Sequence, residues 1–268
     1  MMENSGPPPQ NLNDAYAPAE VAHKVETIGV AKANLPLLKL LALGVLAGAF
    51  IAFGGAFFTL TISGSGLGFG PTRLLGGVAF SLGLILVLIA GAELFTGNNL
   101  IVMAWADGKV TGSQLLRNWG LVFAANFVGA MGVALMMHWS GVLQIGDGAM
   151  AKTAISIASA KIDLGFWQAF MRGVLCNVLV CLAIWLCLAA HNVIGKIFAI
   201  IFPITAFVAL GFEHSIANMY LIPIGILSGL QGVTAMDMLA NLVPVTLGNI
   251  VGGSVLVALV YHVIYLRK

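Results

Sequence analysis

The stretch Gly91–Val102, GAELFTGNNLIV, lies inside one of the most apolar regions of the chain, yet it carries Glu93, Thr96, Gly97, Asn98 and Asn99. A helix in hydrocarbon satisfies its backbone internally and gains nothing from such residues, so their presence predicts a break in a span. The stretch has a relative, GFEHSIANM (211–219), in which Gly211, Glu213 and Asn218 repeat Gly91, Glu93 and Asn98. Two further matches keep the same order. GVLAG (44–48) pairs with GVLCN (173–177), and Asn118, Asn126, Val128 and Gly129 pair with Asn241, Asn249, Val251 and Gly252. Three ordered matches at separations of about 120–130 residues identify an internal repeat.

Composition sets the environment of this repeat. The 268 residues are 60% hydrophobic and 8% charged, whereas a soluble domain is about a quarter charged. So few charges cannot cover a water-exposed surface, and the chain reads as a polytopic membrane protein in contact with the lipid bilayer. A formal charge of +2 gives no reason to expect nucleic acid as a partner. Cys176, Cys181 and Cys187 fall in one apolar segment without CxxC spacing, which suggests small buried hydrophobes. The opening MMENSGPPPQNLNDAYAPAE has no signal-peptide pattern and reads as a polar, disordered tail. In the following VAHKVETIGVAKANL, Val21, Val25 and Ile28 share a face with Lys24 and Lys32 off it. This segment is either a short surface helix or a plain lead-in to the first span.

Six apolar segments are long enough to cross a bilayer, at 36–62, 72–105, 114–138, 164–190, 194–222 and 236–265. Residues 1–35 form the tail and surface helix, and 36–268 a single transmembrane domain. SGSGLGFGPTR (63–73) reads as a loop and 141–163 as an extramembrane link. With the N-terminus inside, the cytoplasmic side carries Lys24, Lys32, Lys39, Lys109, Arg117, Lys196, Arg267 and Lys268. Arg73, Lys152, Lys161 and Arg172 fall opposite, so basic residues favour both termini in the cytoplasm. Three spans per copy is an odd number, so the second copy enters from the opposite face. The fold expected is all-α, with six transmembrane helices in two inverted three-helix repeats and broken second and fifth helices.

Backbone unwound within a bilayer needs partners, and Glu93, Asn98, Glu213 and Asn218 are the candidates to brace the two breaks. The glutamates are alternatively pore-lining, which suits a cation and repels an anion. Half-helix N-termini pointing inward favour a small anion. Asn118, Asn126, Asn241 and Asn249 are expected to bond between helices. His214 stands where the first copy has Leu94, so symmetry does not require it. It is either a structural hydrogen-bonder or a central-site residue that meets a passing weak-acid anion. The chain shows no metal-ligand cluster, nucleophile–base pair or nucleotide loop, and neither an enzyme nor a cofactor is expected. Two NPA tripeptides would mark a water or neutral-solute channel, and the sequence contains none.

AGAELFTGNNLIV, CNVLVCLAIW, GFEHSIANM and NLVPVTLGNIVGG, in this order, resemble the formate/nitrite transporter family from about residue 20 to 268. The resemblance implies an aquaporin-like protomer in a homopentamer, each protomer with its own pore for small monovalent anions, in the cytoplasmic membrane of a prokaryote. It places the central histidine on His214, its hydroxyl partner on Thr96, and apolar constrictions on Phe80, Leu84, Phe95, Val180 and Phe207. A lysine and an asparagine that draw the anion inward fall on Lys161 and Asn177. Formate, nitrite or hydrosulfide are the substrates implied; TGNN (96–99) departs from the formate-channel continuation and leaves the choice among them open. Passage is either passive or proton-linked through His214.

Overall fold

A computed structural model describes residues 15–267; most of the tail expected over residues 1–20 lies outside them. Helix α1 spans Pro18–Ala33 and α2 Leu37–Ile62. Helix α3 spans Phe69–Ile85 and continues as a π-helical turn, Leu86–Gly91. After the break come α4 (Phe95–Asn98), a 3₁₀ turn (Asn99–Ile101) and α5 (Val102–Ala106). Helix α6 runs Gly112–Trp139, α7 Ala149–Ile162 and α8 Phe166–Ala189. Helix α9 (Val193–Leu210) is separated from α10 (Ser215–Leu227) by the second break. Helix α11 (Ala235–Ile250) passes through a π-helical stretch, Val251–Leu259, into α12 (Val260–Tyr265).

Six helical runs are long and apolar enough to cross a membrane, and no strand occurs among the described residues. The chain is a multi-pass membrane protein. Its outer surface carries large apolar side chains such as Leu38, Phe69, Val128 and Phe202, which suit lipid contact.

Several boundaries differ from the sequence reading. Helix α3 begins at Phe69, so the Gly-rich loop ends at Gly68, whose φ of 78° only glycine adopts easily. The second span stops as a helix at Gly91 rather than running on to 105. Its polar residues form a separate short helical run. Helix α10 extends to Leu227, five residues beyond the expected end of the fifth segment. The 141–163 link contains α7.

The largest difference concerns α1. Its buried face, Val21, Ala22, Val25, Glu26, Gly29 and Ala33, packs on the chain itself, with Gly29 against Ile101 and Ala104. It is a packed element of the protein, with its buried face turned to the chain. Lys32, expected off the apolar face, turns into the interior.

Small residues bring the spans together, as is common where lipid supplies no hydrophobic drive between helices. A Cβ added to Gly48 or Gly129 meets the backbone of Asn126 or Val45, which closes α2 onto α6. In the second half Gly252 lies against Val174 O and Gly173 against Val245 O, closing α8 onto α11.

Candidate functional site

Both breaks begin with a glycine in the left-handed region, Gly91 at φ 90° and Gly211 at φ 74°. The extended residues that follow cannot bond along a helix, so their backbone is paired from neighbouring spans. Asn126 Nδ2 donates to Gly44 O (2.7 Å) and Glu93 O (2.9 Å), while its Oδ1 accepts from Phe95 N (3.0 Å). Asn249 Nδ2 donates to Gly173 O (2.8 Å) and Glu213 O (3.0 Å), and its Oδ1 accepts from Ser215 N (2.9 Å). The remaining amides match as well: Glu93 N donates to Leu43 O and Glu213 N to Arg172 O. The inverted copies therefore correspond atom for atom at their breaks.

The side chains repeat too. Lys32 Nζ lies 2.6 Å from Glu93 Oε1, and Lys161 Nζ 2.9 Å from Glu213 Oε1. Asn98 Nδ2 donates to Glu93 Oε2 and Asn118 Oδ1, and Asn218 Nδ2 to Glu213 Oε2 and Asn241 Oδ1. Asn118 and Asn241 close each ring on the carbonyls of Lys32 and Lys161. Each buried carboxylate thus has one oxygen on an ammonium and the other on an amide, the pairing a buried charge requires. Lys32 is the residue the sequence reading missed. Its equivalence to Lys161 makes α1 and α7 a fourth matched pair, so each repeat is larger than three spans.

The copies diverge where α4 and α10 start. Leu94 offers its amide run no side-chain cap, whereas His214 Nδ1 accepts from Ala217 N at 3.1 Å. His214 Nε2 lies 3.0 Å from Thr96 Oγ1. With Nδ1 occupied as an acceptor, the neutral ring carries its proton on Nε2 and donates it to Thr96. The Thr96 hydroxyl keeps its own proton to give. Its backbone is fixed from behind, because Thr96 O accepts from Asn177 Nδ2 (3.2 Å) and lies 3.6 Å from the Cys181 thiol. Asn177 Nδ2 also lies 2.7 Å from both Asn99 Oδ1 and Asn249 O, so its two hydrogens are shared among three acceptors and link α4 and the turn after it to α11.

Two cavities approach this centre. One, of about 310 Å³, is lined by Arg73, Lys161, Arg172, Glu213 and His214, with Phe80 and Phe207 in its wall. Phe207 meets Phe80 edge-to-face (5.6 Å) and lies roughly parallel to His214 (6.0 Å). The other, about 60 Å³, is lined by Ile28, Lys32, Val87, Leu94 and Asn98. Thr96, Leu84, Phe95, Val180 and Asn177 border neither cavity and are almost fully buried. The Phe95 ring, expected at a constriction, packs on Phe123 (5.0 Å) and Trp119 (6.1 Å) of α6. Of the break residues, Ala92 and Leu94 face the smaller cavity.

A family model described as formate/nitrite transporter matches residues 19–263. The formate channel FocA of Escherichia coli (strain K12) is 40% identical over 277 residues, covering 96% of this chain and 97% of that protein. A probable formate transporter of Methanothermobacter thermautotrophicus is 44% identical over 270 residues, covering 94% and 98%. Among solved structures, a pentameric formate channel with formate bound superposes with a TM-score of 0.81 at 38% identity, covering 86% of this chain and 98% of the other. An FNT family ion channel superposes with a TM-score of 0.84 at 30% identity, covering 90% and 97%.

Proposed function

This chain belongs to the formate/nitrite transporter family, and from that premise we propose that it is a channel for formate and closely related small monovalent anions. The observation that carries the reading is the Thr96–His214 contact, 3.0 Å across the point where the two broken spans meet. The relatives named as formate channels favour formate within the class, and the pentameric neighbour favours a homopentamer with one path per protomer. The excess of basic residues around the α1 side favours an orientation with both termini in the cytoplasm.

In this reading an anion enters the wide basic cavity and sheds water at the Phe80–Phe207 pair. Beyond the rings, the Thr96 O–H and the helix N-terminus of α10 replace part of the lost hydration. The Glu93 and Glu213 carboxylates do not oppose it, since each is neutralised in place by a lysine. Lys161 and Asn177 then act through other groups, Lys161 by holding Glu213 and Asn177 by holding Thr96. Imidazolium formation at His214 would turn its Nδ1–H against the Ala217 N–H and cost the cap of α10. That geometry supports passage past a neutral histidine over proton-linked transport.

Flux in proteoliposomes, with formate, nitrite, hydrosulfide, acetate, chloride and glycerol compared across pH, tests the reading. Formate passage with glycerol excluded is expected. Glycerol passage with anions excluded would overturn it.

A further inference from the structure

The near-equivalence of the two halves shows which side chains the fold does not need. Leu43 and Arg172 hold the same place: the carbonyl of each accepts the amide of the glutamate that follows the break, Leu43 from Glu93 and Arg172 from Glu213. A leucine performs that task as well as an arginine. The Arg172 guanidinium is therefore spare, and among the described residues it forms no ion pair. It faces the larger cavity.

Arg73 reaches the same cavity from α3. Its Nε donates to Ala209 O and its Nη2 to Val208 O, both at 2.9 Å, which fixes the plane of the group over Gly211. Both acceptors are neutral carbonyls at the C-terminal end of α9, which offset only part of the charge, and the Nη1 edge is free to donate. Glu213 is the only carboxylate in the wall, and Lys161 and Asn218 already occupy it. The α7 wall adds the hydroxyl of Ser156.

Two guanidiniums without a carboxylate partner, one pre-oriented, suit an anion with several oxygens better than a single-charge triatomic one. The cavity is also several times the ~30 Å³ share of one water. Past it, the aromatic pair demands dehydration, which costs far more for two charges than for one. We propose that this vestibule is a binding site for small dianions, dicarboxylates or tetrahedral oxyanions, which lodge between Arg73 and Arg172 and block monovalent passage from that face. The blocking step rests on the channel reading above; the binding step does not.

Two measurements separate these. Isothermal titration of oxalate, and separately sulfate, into detergent-solubilised protein reads binding alone. Formate current across a planar bilayer, with each dianion added to one side and ionic strength matched with gluconate, reads block as a fraction of each variant's own current. Binding and one-sided block are expected, with oxalate favoured if paired carboxylates are the ligand and sulfate if a tetrahedral oxyanion is. Arg172→Gln should raise the half-blocking concentration about tenfold, with Arg172→Lys between it and the wild type. No binding by titration, equal block from both faces, or unchanged block in Arg172→Gln would each overturn the site. Absence of formate current before any dianion is added would instead count against the channel reading.

Discussion

Asn126 and Asn249 make the same three hydrogen bonds in opposite halves of the chain, each donating to one carbonyl of its break and one of a neighbouring helix and accepting from one amide of the break. Neither touches the cavities. Their work is to make an interrupted helix tolerable inside the membrane, and everything at the centre depends on it.

Replacing either asparagine with leucine leaves one carbonyl and one amide of the break unpaired in a buried setting. At ~1–3 kcal/mol per abandoned group, each variant should lose about 2–6 kcal/mol. Thermal unfolding in detergent is the check. Similar losses for Asn126→Leu and Asn249→Leu are expected, and a large inequality would deny their equivalence.

The Lys32–Glu93 pair is testable by a double-mutant cycle. Lys32→Met strands a buried carboxylate and should cost about 2–4 kcal/mol. Adding Glu93→Gln to that variant should restore most of the loss, because the amide still bonds Asn98 without a charge to solvate. Additive losses would mean that the ion pair is not what holds α1 to the break.

Gly129 and Gly252 are contact points between spans. A methyl at Gly129 meets Val45 O and one at Gly252 meets Val174 O, both rigid backbone. Alanine at either position should separate the helices and lower the stability by roughly the amount expected of an overpacked core, ~1–3 kcal/mol or more, read as a lower melting temperature. Gly120→Ala, with open space around it, should be neutral or slightly stabilising in the same assay.

Outside the spans, Lys109 binds Glu26 (2.6 Å) and Asp107 (3.0 Å) and ties α1 to the turn before α6. Its hydrogen bonds to Glu26 and then Asp107 hold it above the ordinary lysine range, and the Lys109 bond holds Asp107 below the ordinary aspartate range. The raised lysine contributes fully below its ordinary pKa of about 10.4 and loses that contribution as pH rises through its raised value. The depressed aspartate contributes above about 3.9 and loses its share as pH falls. Hydrogen exchange of residues 18–33, corrected for intrinsic rates, should thus show a wild-type advantage over Lys109→Gln that is constant between about pH 5 and 9. A difference that varies within that window would contradict the ion pairs as its source.

Much of this architecture was legible in the chain because membranes restrict it so strongly. Polar residues in GAELFTGNN and GFEHSIANM had no reason to be there except a break, and their repetition fixed the relation of the halves. Glu93, Asn98, Glu213 and Asn218 could be read as a set for the same reason. Lys32 could not, because its segment reads as a weakly amphipathic lead-in and only its place opposite Lys161 reveals its direction. Phe95 entered as a constriction through the family resemblance; the contacts of its ring with Trp119 and Phe123 of α6 are not visible in its sequence neighbourhood. Arg172 escaped notice because its carbonyl, not its side chain, is what the repeat preserves.

The central claim is that the anion passes the junction of the two breaks and is met there by the Thr96 hydroxyl. Thr96→Val keeps the shape of that side chain and removes its O–H, so formate flux through proteoliposomes carrying this variant is the most direct test. The account predicts a loss of about 10- to 100-fold, the worth of one hydrogen bond to a charged group, with assembly kept and stability lowered by only ~1–3 kcal/mol for the His214 Nε2–H left unpaired. Wild-type flux in Thr96→Val would contradict it.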